Sequence, residues 1–113
     1  MDIITSKSEE YLIIEISGDL DASSSMQLDS VIAQAIQDKE NKIIVNCKNL
    51  NYISSAGLGV FMSYIQDFKD NSIFFSLCDL SEKVRNVFNI LGLEKLIPIF
   101  NSESDAKSAT HIS

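Results

Sequence analysis

Two serines stand side by side in the stretch Asn51-Tyr52-Ile53-Ser54-Ser55-Ala56-Gly57-Leu58-Gly59-Val60. An apolar run, Ile43-Ile44-Val45, precedes them, and a helical spacing of Leu58, Phe61, Ile65 and Phe68 follows. This arrangement predicts a strand-to-helix turn, with Ser55 close to the first helical residue. The opening amides of a helix have no partner within it and point at whatever occupies the turn. A hydroxyl placed there has three chemical uses: it can cap the helix, attack an acyl group, or accept a phosphate.

The second use needs a base to take the serine proton. The one histidine, His111, lies two residues from the C-terminus. Lys48, expected just past a strand end and in water, would have to be desolvated to serve. The Gly-x-Ser-x-Gly spacing of a nucleophile elbow is also missing. These features predict that the chain is not an enzyme. Gly57-Leu58-Gly59 is a lone Gly-x-Gly with Met62 where a third glycine would fall, and the chain has no Gly-Lys-Ser/Thr loop. Any phosphate affinity at the turn is then incidental, and no cofactor is expected. Cys47 and Cys78 follow separate apolar runs and fit no metal-ligand spacing, so no metal site is expected. They read as two reduced, buried thiols, with a regulatory disulfide as the alternative. Capping uses one serine. Two serines followed by two glycines leave a hydroxyl to spare on a backbone that another molecule can approach closely.

The elements that must position this turn follow from periodicity. Ile3-Ile4-Thr5 reads as a first strand, and Leu12, Ile14 and Ile16 alternate within a second strand over Tyr11 to Ser17, which Gly18 ends. The two should pair as an antiparallel hairpin. Asp19-Leu20-Asp21-Ala22-Ser23-Ser24-Ser25 is a loop rich in capping residues, before a helix with Leu28, Val31, Ile32, Ala35 and Ile36 on one side. Lys42 to Cys47 suits a strand covered on both faces. The helix after the serine turn should run to Lys69-Asp70-Asn71. Ile73 to Leu77 is the next strand. A helix capped from Asp79-Leu80-Ser81 then buries Val84, Val87, Phe88 and Leu91 before stopping at Gly92. Leu96-Ile97-Pro98-Ile99-Phe100 suits an edge strand, since proline cannot donate to a ladder. Asn101-Ser102 can cap a brief last helix through Ala106 and Ala109, with Thr110 to Ser113 frayed. Alternating strands and helices imply an α/β fold: a mixed, mostly parallel sheet of four or five strands with about four helices packed against it.

At 113 residues and 12.5 kDa the chain reads as a single domain spanning residues 1–113. A hydrophobic content of 45% supports an ordinary core, and 22% charged residues argues against global disorder. The formal charge is −7, and the nine basic residues are scattered rather than striped, which excludes the footprint of a nucleic-acid binder. An acidic surface is repelled by anionic membranes and suits a basic protein partner. The beginning Met1-Asp2-Ile3-Ile4 lacks the pattern of a leader, and no apolar run reaches the length of a membrane span. The expected location is therefore cytoplasmic.

The segment Tyr52 to Val60 resembles the signature of STAS domains, and in particular that of the bacterial anti-sigma factor antagonists. The similarity extends to Ile16-Ser17-Gly18-Asp19-Leu20-Asp21-Ala22, to Leu77 through Leu93, and to Lys95 through Ala106. In such antagonists the turn reads Asp-Ser-Ser-Gly-Leu and its first serine is phosphorylated. Anchoring on Gly57-Leu58 places that phosphoacceptor at Ser55, the family aspartate at Ser54 and the second serine at Ala56. Ser55 is retained and Ser54 departs, so the resemblance alone leaves open which of the two takes the phosphate. It implies a binding module that engages an anti-sigma factor, itself a serine protein kinase, when unphosphorylated. Phosphorylation releases it, and a serine phosphatase resets it. Asp19, Asp21, Ser23, Ser54, Ser55, Ala56, Gly57 and Leu58 are the expected contact residues. Asp21 or Ser23 can cap the first helix, meet the partner, or do both. Leu58 faces either the partner or the core. The alternative role is a non-switching structural subunit of a signalling or transporter-associated assembly.

Overall fold

The computed structural model describes the backbone of residues 1–112 and the side chains of residues 1–109. A five-stranded sheet has strand order β1-β2-β3-β4-β5, following the chain. The strands are β1 (Asp2–Ser8), β2 (Tyr11–Leu20), β3 (Lys42–Ile53), β4 (Phe74–Cys78) and β5 (Ile99–Phe100). β1 and β2 form the antiparallel hairpin, and every later pairing is parallel.

The crossovers are α1 (Ala22–Gln37), the pair α2 (Ser55–Ser63) and α3 (Ile65–Asp70), and α4 (Glu82–Ile90) with a 3-10 turn at Leu93–Lys95. Crossovers of one hand between sequential strands put their helices on one face of the sheet. The larger core lies there, with Leu28, Ile32, Phe61 and Phe88 packed on Ile14, Ile16, Val45 and Leu77. The last helix, α5 (Glu103–Ile112), covers part of the other face, over Tyr11, Ile13, Ile44 and Cys78. The expected fraying at Thr110 to Ser113, and His111 with it, falls on side chains outside the described residues.

Several expectations are corrected. β2 does not end at Gly18. The ladder with β3 carries it on to Leu20, and Gly18 takes up a register shift with a φ of +101°. A side chain would be strained in that conformation. β3 does not end at Cys47 but runs twelve residues to Ile53, because the far end of β2 pairs with it. β4 pairs only with Lys42 to Asn46, so the last part of β3 is flanked on one side alone. Lys48, Asn49 and Asn51 are exposed there, which explains why this half lacks the apolar run of a buried strand.

The helix after the serine turn breaks at Tyr64, so α2 and α3 are separate. The Ser63 hydroxyl donates to the Val60 carbonyl at 2.7 Å, and the Tyr64 amide turns to Phe61 instead at 3.3 Å. A serine that bonds its own backbone competes with the helical ladder in this way. The ring of Tyr64 stacks on Phe68 at 6.1 Å, and its hydroxyl donates to the Asp29 carbonyl at 3.3 Å. Burial first, then the nearby Asp29 carboxylate, pushes the phenol up to about 12. Leu91 is a further correction: it is not on the buried stripe of α4, because the helix stops at Ile90 and leaves Leu91 56% exposed.

Candidate protein-interaction site

The parallel register brings two strand-to-helix turns together at one sheet edge. Asp19 pairs with Tyr52 and Leu20 with Ile53, and the Ser54 amide donates to the Leu20 carbonyl at 2.8 Å. The loop that enters α1 and the turn that enters α2 are thus joined by backbone.

At the first turn Asp21 is the N-cap, with extended backbone. Its carboxylate accepts from the amides of Ser23 and Ser24 at 3.1 and 3.0 Å, and from both of their hydroxyls at 3.0 Å. The Ser24 hydroxyl in turn accepts from the Asp21 amide at 2.9 Å, completing a capping box. Ser25 donates to the Ala22 carbonyl at 2.8 Å. The amide and hydroxyl of Ser24, followed by the hydroxyl of Ser23, hold the Asp21 carboxyl at about 2, below its ordinary 3.8. Asp21 and Ser23 nonetheless remain exposed, as does Asp19.

At the second turn Ser54 is the N-cap, and its hydroxyl oxygen accepts from the Gly57 amide at 3.2 Å. Ser55 is the first residue of α2. It is exposed, and its hydroxyl enters no hydrogen bond among the described residues. Ala56 beside it is exposed as well. Gly57 is buried, and a β-carbon there would come within 2.7 Å of Leu20 Cγ and 3.1 Å of Ile53 Cγ1. The glycine lets α2 rest directly on the end of the β2–β3 ladder. Leu58 is 7% exposed and joins the core, so of its two expected positions the structure takes the inward one. Gly57 and Leu58 therefore set where the turn sits and offer little surface.

Three apolar side chains that sequence reasoning passed over as contacts surround these turns. Met26, one helical turn beyond Ser23, is 73% exposed, Tyr52 is 48% exposed and Met62 is 50% exposed. Met62 follows Ser55 by seven residues and Gly59 follows it by four, so all three share one side of α2. α1 and α2 pack against each other. α2 has no charged residue and α1 has only Asp29, in a chain of −7. The missing signal was available in the sequence: two helices almost without charge, each carrying a methionine off its apolar stripe. Such side chains suit a protein-contact surface, because methionine adapts its shape to a partner.

Other chemistry is poorly supported. Cys47 and Cys78 are free and buried, and burial pushes both thiols up, away from reactive thiolates. Among the described residues no group of three His, Cys, Asp or Glu side chains is arranged to hold a metal ion, and no helix is long and apolar enough to cross a membrane.

Comparison with known proteins adds three findings. A family model described as "STAS domain" matches residues 2–106. Among curated relatives, BtrV of Bordetella bronchiseptica, provisionally named an anti-sigma factor antagonist, is 29% identical over 109 residues, 96% of this chain and 94% of that protein. The anti-sigma-B factor antagonist of Staphylococcus aureus is 26% identical over 99 residues, covering 88% and 92% of the two chains. Among solved structures, the phosphorylated form of the Bacillus cell fate determinant SpoIIAA superposes with a TM-score of 0.74 at 22% identity, over 96% of this chain and 99% of that one.

Proposed function

The chain belongs to the STAS domain family, and from that premise we propose that it is an anti-sigma factor antagonist switched by phosphorylation of Ser55. The observation that carries this reading is the division of labour between the two serines. Ser54 is half-buried and engaged as the cap, whereas Ser55 is exposed with an uncommitted hydroxyl. A kinase can reach Ser55 without breaking a native hydrogen bond, while modifying Ser54 would disturb the half-buried oxygen that accepts from the Gly57 amide.

The unphosphorylated protein binds an anti-sigma factor that is also a serine kinase, and so frees the sigma factor. The contact is made by Asp19, Asp21, Ser23 and the Ser54-Ser55-Ala56 turn, flanked by Met26, Tyr52 and Met62. The kinase transfers the γ-phosphoryl group of ATP to Ser55 Oγ, the hydroxyl proton leaves and ADP departs. A serine phosphatase later restores the hydroxyl. The chain itself is the substrate and catalyses no step.

Electrostatics supports release without refolding. A phosphate adds about −1.5 to −2 charges near neutral pH. At the start of α2 the free amides and the helix dipole tolerate that charge, so the fold persists. At the interface the same group must be desolvated and meets any partner carboxylate, which costs several kcal/mol. At about 1.4 kcal/mol per decade, affinity falls by roughly two to three decades.

Calorimetric titration of the cognate anti-sigma kinase tests this. Ser55→Ala should bind as wild type does, and Ser55→Asp should lose roughly two decades or more of affinity, both with near-native melting. Phosphopeptide mapping should find the phosphate on Ser55. Wild-type affinity of Ser55→Asp, or phosphate confined to Ser54, would refute the reading.

A further inference from the structure

α5 is held to the sheet in a different way from the other helices. α1 buries Leu28, Ile32 and Ala35, α2 buries Leu58 and Phe61, and α4 buries Val84 and Phe88. Among the described residues of α5 only Ala106 is fully buried, and its side chain is a single methyl group. Apolar stabilisation scales with the area removed from water, so α5 itself contributes little of it. Yet this helix lies over Tyr11, Ile13, Ile44 and Cys78.

Polar contacts to the strands supplement that one methyl group. The Asn46 side-chain amide donates to Glu103 Oε1 at 2.9 Å. The Tyr11 hydroxyl donates to the Lys107 carbonyl at 3.0 Å, and Lys107 Nζ donates to Ser8 Oγ at 2.8 Å. Such bonds exchange for bonds to water at small net cost. Two of the strand residues also keep a partner without α5. Lys42 Nζ stands 5.7 Å from the Tyr11 ring centre, and Asn46 Oδ1 accepts from the Lys48 amide at 2.9 Å. Ser76 shares with Cys78 the face of β4 that α5 covers. It is fully buried, and its hydroxyl has no hydrogen-bond partner among the described residues. Burying a hydroxyl in that way opposes closure.

Asn101 and Ser102 connect β5 to α5. Arg85 Nη1 donates to Asn101 Oδ1 at 2.9 Å and ties the connection to α4. Ser102 Oγ accepts from the Asp105 amide at 3.1 Å and so belongs to the start of α5. A hinge at this point has one side fixed on the α4 layer and the other moving with the helix.

We propose that α5 is a strap, which lifts from the sheet about residues 101–102 while the strands and the α1–α4 layer stay folded. The open state uncovers Cys78. Cys47 stays enclosed, because it belongs to the core on the opposite face. The two thiols therefore report separate events: Cys78 the lifting of the strap, and Cys47 the unfolding of the main core.

Labelling of the native full chain with N-ethylmaleimide, read at each cysteine by peptide mass spectrometry, tests this. The reagent is kept dilute, so that rates follow the open populations. In the wild type Cys78 should label at least roughly tenfold faster than Cys47. Tyr11→Phe keeps the ring and removes the bond to Lys107, and should speed Cys78 about fivefold. Glu103→Ala, which removes the bond to Asn46, should act in the same direction, and it decides the matter if Tyr11→Phe melts early. Tyr64→Phe removes a tyrosine-to-carbonyl bond from the layer that stays folded. It should speed Cys47 and leave Cys78 unchanged. Labelling of Cys78 no faster than that of Cys47 would overturn the proposal. So would a Cys78 rate unmoved by the folded strap variants, or one raised by Tyr64→Phe as much as the Cys47 rate is.

Discussion

The turns that enter α1 and α2 are built alike and finished differently. Each follows a parallel strand, each carries adjacent serines, and each has a side-chain oxygen accepting from the third residue of its helix. At the first, a carboxylate gathers two amides and two hydroxyls, and Ser23, Ser24 and Ser25 all spend their hydroxyls within the turn. At the second, one hydroxyl takes one amide and the neighbouring Ser55 is left over. A serine in a cap is structural when its bonds are made internally, and a serine next to a completed cap is available to a partner or a kinase. The same residue type thus has opposite meanings about thirty residues apart, and hydrogen bonding separates them.

This contrast can be attacked directly. The largest effect is expected at Gly57, where the second turn rests on Leu20. Gly57→Ala overpacks that contact and should cost about 1–3 kcal/mol in urea unfolding. Gly59→Ala, with open space around its β-carbon, should instead add about 0.5–1 kcal/mol. Equal effects at the two glycines would mean that α2 does not sit as tightly on the β2–β3 end as described.

The two serines come next. Ser54→Ala should cost about 1 kcal/mol, the usual loss of an N-cap. Ser55→Ala should stay within about 0.5 kcal/mol of wild type, as an exposed side chain without bonds. If both substitutions destabilise alike, the division of labour between cap and free hydroxyl fails.

The smallest effect is a pH dependence at Asp21. Its folded carboxyl titrates near 2 against 3.8 when unperturbed. A depressed value means that its contribution is present above about 4 and is lost as pH falls toward 2. Asp21→Asn keeps a capping side chain that does not titrate. The difference in melting temperature between wild type and Asp21→Asn should therefore hold steady down to about pH 4 and change between there and pH 2. A difference independent of pH would show that the carboxylate is not held by the serines around it.

Much of this was legible in the chain. Gly92 stops α4, Ser81 caps it, and the order of strands and helices follows from periodicity that local sterics and burial enforce together. The capping potential of Asp21 was also visible, though its four-donor arrangement was not, because four donors converge on one carboxylate only after the backbone turns. The full length of β3 could not be read from Lys48-Asn49-Leu50-Asn51, since a polar stretch forms a strand here only because β2 extends beside it. The break at Tyr64 was hidden because Ser63 competes for a carbonyl that exists as a target only within the formed helix.

The amino-acid order by itself determined the α/β alternation, the position of the serine turn and the identity of the residues able to cap it. These are local choices, made by side-chain shape and by hydrogen-bonding groups a few residues apart. Tertiary structure alone decided that Leu58 goes inward, that Leu91 stays out, and that Ser54 rather than Ser55 closes the helix. Those outcomes depend on what distant strands bring alongside. The Leu20 carbonyl fixes the Ser54 amide at 2.8 Å, and with that backbone anchored, the next hydroxyl is left facing solvent.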